Sequence, residues 1–180
     1  MLNKFVIALF IASSLGCEVA FPNGIVVNYA VDDRKVTFDF AVPPSIYVAW
    51  SWVGFGMKKA EDGYSMINGD YVSMIIESGL IEDRTGGVRN GRPKTDDQVG
   101  GVDSLCDKNK ATAADGMMHF TWARDFTTGD SVDLIIVPGN HYYFQWAVGE
   151  VANGVLKHHV DKGFAPVIFG ICDAPSFLEI

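Results

Sequence analysis

The sequence predicts an all-β fold, an antiparallel β-sandwich with immunoglobulin-like layers, and three observations carry that expectation. Short runs rich in β-branched and aromatic residues recur along the chain, bounded by Gly, Asp and Asn. No stretch longer than about 11 residues repeats its apolar positions with a helical period. Nineteen glycines and twelve phenylalanines among 180 residues provide turn formers on one hand and bulky core filling on the other. Strands at this spacing, without helices between them, pack as two sheets face to face.

The first twenty residues read differently. MLNKFVIALFIASSLGCEVA has one early lysine, an apolar run over 5–12, then small residues Ser13, Ser14 and Gly16. That is the layout of a secretory signal peptide cut after Gly16. The run is too short to span a bilayer. Gly16 before Cys17 also admits a lipoprotein with an acylated cysteine, but Ser14 stands where an aliphatic residue is usual. The expected product is secreted, a single domain over residues 17–180 with no stable membrane insertion. Losing Lys4 leaves 13 basic residues against 22 acidic ones, so the net charge moves from −8 to −9.

The expected strands follow in order. Residues 25–31 (IVVNYAV) and 35–42 (KVTFDFAV) form an opening pair turned at Asp32 and Asp33. In the second, Val36, Phe38 and Phe40 alternate with Thr37 and Asp39, the period of a half-buried strand. Residues 46–55 read as a long strand with Trp50 and Trp52 on one face. Strands are also expected over 71–76, 117–123, 132–138, 142–148 and 166–171. The polar stretch 77–116 is expected to hold one or two short strands at most.

Three cysteines, Cys17, Cys106 and Cys172, remain after cleavage. In an oxidising compartment two of them pair and one is left over. Cys17 with Cys172 is preferred because chain ends often lie together, and Cys106 with Cys172 is the competitor. The acidic balance, with a sequence pI near 4.8, repels phosphate backbones and argues against a nucleic-acid partner. No Asn-x-Ser/Thr sequon occurs. GxSxG, HExxH, CxxC and CxxCH are all missing, so no hydrolase, zinc-protease or covalent-haem signature is present.

Two loop positions then attract notice. GYSMINGDYV places Met66 in the middle of a turn. A thioether there either fills a gap in the core or serves as a soft metal ligand. LKHHVDKG places His158 and His159 side by side in an irregular stretch, whereas His119 and His141 fall at strand or turn positions suited to structural roles. Haem iron takes imidazole and thioether on opposite axial faces, an arrangement suited to electron transfer rather than substrate binding. Trp50, Trp52, Phe55, Tyr64, Phe144 and Trp146 are candidates to line such a cleft. Copper held by Met66, His158 and His159 is an alternative, without the usual His-x-His pattern.

These residues also carry a family resemblance. Trp52-Val-Gly-Phe-Gly56, then Met66-Ile-Asn-Gly-Asp70-Tyr-Val, resembles the signature of the DOMON domain. That domain is the cytochrome module of cellobiose dehydrogenase and occurs in cytochrome b561-linked and dopamine β-monooxygenase-like proteins. Asp83-Arg84 and Pro93-Lys-Thr-Asp96 are similar to its middle segment. Phe120-Thr-Trp-Ala-Arg124, Thr127-Thr-Gly-Asp130 and Asp133 are similar to a later block, and Trp146-Ala-Val-Gly149 with Leu156-Lys-His-His159-Val-Asp-Lys-Gly163 to its close. The match runs in order over about residues 25–170. The resemblance implies one non-covalent haem b with Met66 and His159 as axial ligands, the register against Leu156 and Gly163 selecting His159 over His158.

The function implied is a secreted electron carrier, not an enzyme, exchanging electrons with a separate redox protein or a small reductant such as ascorbate. Trp52, Phe55, Tyr64 and Trp146 would line the haem. Arg124 would meet a propionate or, as the favoured role, pair with a turn carboxylate, and Asp70 would fix its turn. Many DOMON domains lack haem, and some are thought to bind sugars, so the alternative implied is a haem-free extracellular module for carbohydrate or another small ligand.

Overall fold

A computed structural model describes residues 16–86, 92–113 and 115–172. The expected signal peptide lies outside the described residues except for Gly16, as does the tail from 173 onward. In chain order the strands are β1 (Cys17–Ala20), β2 (Val26–Val31), β3 (Lys35–Val42), β4 (Trp52–Lys59), β5 (Asp70–Ile75), β6 (Ile81–Thr85) and β7 (Lys94–Thr95). They continue as β8 (Cys106–Thr112), β9 (Met118–Asp125), β10 (His141–Gly149), β11 (Val151–Ala152), β12 (Val155–Leu156) and β13 (Asp161–Ile168).

These strands make the expected all-β sandwich. One sheet has the order β1-β2-β3-β9-β8 and the other β13-β10-β4-β5-β6-β7, and every pairing is antiparallel. Strand alternation decides what lies between the sheets. Val36, Phe38 and Phe40 of β3 are 0%, 1% and 0% exposed, which puts the alternating face read from the sequence at the centre of the core. Phe38 meets Phe55 at 5.2 Å and Phe55 meets Phe144 edge-on at 5.1 Å, a geometry that adds to plain area burial. β11 and β12 form a small hairpin turned at Asn153 and Gly154, both with positive φ, the residue pair that a two-residue turn favours.

Several elements differ from expectation. Residues 46–51 are not strand: Pro43 and Pro44 open a single helical turn, α1 (Pro44–Tyr47), and the ladder begins only at Trp52. Trp50 therefore precedes the strand and shares no face of it with Trp52. Residues 132–138 are also irregular. The amides of Val132 and Leu134 bond to the carboxylates of Asp130 and Asp70 rather than to a neighbouring strand. The last strand starts at Asp161, upstream of the expected 166, and ends at Ile168. The described residues of 77–116 hold three strands, more than expected, because β8 is a mostly exposed edge strand whose polar sequence CDKNKAT carries no apolar alternation.

Cys17 is disulfide-bonded to Cys172, and Cys106 is free. The bond closes the chain across 155 residues. No helix among the described residues is long and apolar enough to cross a membrane.

Candidate functional site

The outer face of the six-stranded sheet gathers most of the candidate residues. Along β4, Val53, Phe55 and Met57 point into the core, so Trp52, Gly54, Gly56 and Lys58 point outward. Along β10, Tyr142, Phe144, Trp146 and Val148 are core residues, which leaves Tyr143, Gln145, Ala147 and Gly149 outside. Gly54 pairs with Ala147 and Gly56 with Gln145, so the small residues of this face are Gly54, Gly56 and Ala147, with the Trp52 ring beside Gly54 and the Tyr71 ring beside Gly56. The glycines admit close neighbours: a Cβ on Gly56 would lie 2.4 Å from the Tyr71 ring, and one on Gly149 would lie 2.7 Å from the Trp52 indole nitrogen.

The loop that carries Met66 is docked on this face by named bonds. Gln145 donates from Nε2 to the Tyr64 carbonyl at 2.9 Å and accepts at Oε1 from the Tyr71 hydroxyl at 2.9 Å. Lys58, only 1% exposed, donates to the Ser65 carbonyl at 2.9 Å and to its hydroxyl at 3.1 Å. The Tyr64 ring stacks on Phe164 of β13 at 5.3 Å, and Phe164 also meets Tyr143 edge-on. Behind the loop, the Asn68 amide donates to Gly86 and the Gly86 amide to Gly69. A Cβ at Gly86 would lie 1.9 Å from the Met66 carbonyl oxygen, so only glycine fits there. Met66 is half-buried.

His159 enters from the other end of the same strands. The Val160 amide donates to Val148 and the Lys157 amide to Glu150, which ties the segment to the end of β10. His159 is half-buried and His158 exposed, with the His158 Nδ1 at 2.9 Å from the His159 carbonyl and the two rings 4.1 Å apart. Burial, then the nearby His158 and Lys162, lowers the His159 pKa. That shift favours the neutral imidazole, the form that binds metals.

The β10–β13 ladder relates the two segments. Gln145 pairs with Phe164, Ala147 with Lys162, and Val148 with Asp161. The Met66 loop rests on the first pair and the His159 segment leaves from the last. At strand rise the two anchor points are about 10 Å apart, and between them the floor is Ala147 and Gly54.

The other sequence candidates divide. Tyr64, 68% exposed, and Trp52 belong to this outer face. Phe55 and Trp146 lie inside the sandwich, as does Phe144, so they pack behind the floor rather than line an open cleft. Arg124 is buried between the sheets: its guanidinium pairs with Asp70 and donates to the Leu134 carbonyl at 2.8 Å. A small void beside that pair, lined by Phe38, Phe55, Met57 and Ile136 among others, holds about one water molecule, far too little for a macrocycle. Gly54, Gly56 and Ala147 stand in motifs read from the sequence but have no site role there, and Gln145, Lys58 and Phe164 are not singled out at all. Their one sequence signal is glycine at alternate positions in a strand otherwise made of large residues.

A scan against models of known protein families finds no match to this chain, and a search of curated proteins finds none either.

Proposed function

We propose that this chain is a DOMON-like electron-transfer domain that holds one haem b non-covalently on the outer face of its larger sheet, with Met66 and His159 as axial ligands. The observation that supports the reading is the low floor of Gly54 and Ala147, with the Trp52 ring alongside Gly54, bounded at one end by the docked Met66 loop and at the other by the His159 segment. A flat group bound there would need small residues beneath it, which Gly54 and Ala147 are, and thioether with imidazole is a donor set that iron porphyrin accepts. When bound, the haem would supply one-electron transfer.

The protein residues divide the remaining work. Lys58 and Gln145 hold the loop, so Met66 is positioned in advance. The Val148 and Glu150 carbonyls hold the His159 segment. Trp52, lying over Gly149, walls the His159 end. Phe55 and Trp146 stiffen the floor from behind. A separate redox protein or a small reductant such as ascorbate would dock at the exposed edge, beside Tyr64. Secretion under the leader over residues 1–16 fits the Cys17–Cys172 disulfide.

The deciding experiment is the visible spectrum of the haem-supplemented chain, oxidised and then reduced with dithionite. A Soret band with sharp reduced α and β bands is expected in the wild type. Met66→Ala and His159→Ala should each lose the low-spin form. A low-spin spectrum that survives His159→Ala and disappears in His158→Ala would shift the ligand by one residue. A featureless spectrum in excess haem would falsify the cytochrome reading and leave a second one. The stacked, exposed pair Tyr64 and Phe164 offers a flat apolar face of the kind on which sugar rings stack, and carbohydrate binding abolished by Tyr64→Ala would then be expected.

A further inference from the structure

We propose that the junction of β6 with the 96–104 loop and the 127–134 segment is a calcium site, with Asp96, Asp130 and Asp133 providing its ligand oxygens and Asp83 adjoining them through Asp133. Acceptor atoms of Asp96, Asp130 and Asp133 lie within 4.8 Å of one another, and so do those of Asp70, Asp83 and Asp133. This is not a surface patch of acids: Asp70, Asp83 and Asp96 are 6%, 2% and 1% exposed, and the Asp133 side chain is 2% exposed.

The decisive feature is which oxygens lack donors. Both carboxylate oxygens of Asp96 are buried and accept no hydrogen bond from any described residue, and the same holds for one oxygen each of Asp83 and Asp133. These four acceptors lie in two clusters that share Asp133, and the proton at hand between the carboxylates is the one that Asp96 itself can carry toward Asp133. A buried carboxylate left without a donor is costly, and a cation relieves it. The donors nearby are committed elsewhere. Ser104 donates its amide to Asp83, and its single hydroxyl hydrogen is shared between Asp83 and Asp133, each at 2.8 Å. Arg124 is taken by Asp70 and Leu134 and stands 3.9 Å from Asp133. One guanidinium faces four buried carboxylates, so the junction carries an excess of three negative charges if all are ionised.

The chain is also shaped around the point. The Gly101 amide closes onto the Asp96 carbonyl at 2.8 Å, and Asp130 holds the amides of Val102 and Val132 at 2.5 and 3.0 Å. A Cβ on Gly101 would lie 2.6 Å from an Asp130 oxygen. Two irregular segments are thus laced together by carboxylates from both sides, with the donor-free oxygens turned inward. Because both clusters are aspartate alone, the site selects a hard cation. Irregular segments and a crowd of carboxylates suit calcium, which accepts irregular coordination, better than magnesium, which demands an octahedron and keeps its water. Asp70 and Asp83 face inward from β5 and β6, on the opposite side of the sheet from the Met66 loop, so this site stands or falls independently of haem.

The test is thermal unfolding of the purified chain, stripped with EGTA and then given calcium or magnesium chloride, with calorimetric titration of calcium into the same stripped protein. Calcium at a hundred times its Kd should raise Tm by about 5–10 °C, and magnesium at equal concentration by clearly less. Above the pH of about 8 at which Asp96 ionises, Asp96→Asn should unfold above the wild type in EGTA, since it removes an uncompensated charge, yet lose most of the calcium response. No calorimetric binding together with no Tm shift in the wild type would overturn the proposal. An undiminished calcium shift in Asp96→Asn would overturn it too, and an equal response to magnesium would overturn the choice of calcium.

Discussion

Arg124 carries the positive charge among the buried acids, and its partners come from far along the chain. It sits on β9 in one sheet, whereas Asp70 lies on β5 in the other and Asp133 lies in the irregular segment after β9. The favoured sequence reading, pairing with a carboxylate in the acidic stretch that follows, is correct in kind for Asp133. Asp70, four residues after Met66, was expected only to fix its own turn, and it accepts from both Arg124 and the Leu134 amide. Removing one member of such a pair leaves a buried charge alone, so Arg124→Met should destabilise the stripped chain by about 3–5 kcal/mol in urea unfolding at pH 7. A loss below about 1 kcal/mol, the level of a surface pair, would show that water reaches the acids freely.

At the scale of the element, β4 does two jobs with alternate residues. Val53, Phe55 and Met57 fill the core while Gly54 and Gly56 keep the outer face flat. A strand loses stability by carrying glycine, so glycine at both outward positions calls for something that must come close. Tyr71 is that neighbour at Gly56. At Gly54 a Cβ would meet the Trp52 ring at 3.2 Å, a contact that a small ring movement accommodates, and the backbone there is ordinary. Gly54→Val should therefore fold normally, since β-branched residues suit strands, and should weaken haem binding at least tenfold in a Soret titration. Unchanged affinity would remove Gly54 from the floor and move the haem elsewhere on the sheet.

The whole molecule has a charge problem with a pH signature. Burial, and next the neighbouring Asp70 carboxylate, pushes Asp83 from an ordinary 3.8 up to about 7. Burial, and next Asp83, pushes Asp96 up to about 8. Asp130, Asp133 and Arg124 are the other charged groups that face them. In the unfolded chain both acids release their protons near pH 4, whereas the folded protein holds them until about pH 7–8. The folded state binds more protons in that window, so metal-free stability falls as pH rises through it and levels off above. Melting in EGTA should therefore give a lower Tm at pH 8 than at pH 5.5. In calcium the trend should flatten or reverse, because the ion replaces the protons. A Tm in EGTA that rises over the same range would mean the two acids titrate normally.

What the sequence determined by itself is local and periodic. The alternation of Val36, Phe38 and Phe40, the turn residues between strands and the lack of any helical period were enough for an all-β sandwich, because a half-buried strand writes its two faces into every second residue. The terminal disulfide was legible for a similar reason, since chain ends tend to meet. The errors fell where that signal is silent. The edge strand β8 buries little and so shows no pattern, and 132–138 looks apolar enough for a strand but spends its amides on carboxylates from elsewhere. Only the tertiary structure decided which face each aromatic takes, turning Phe55 and Trp146 inward and leaving Tyr64 and Trp52 on the outer face of the larger sheet. It alone brought Asp83, Asp96 and Asp133 together from three separate segments. Burial, and the missing hydrogen-bond donors that give those acids their chemistry, are properties of the packed chain that no local stretch contains.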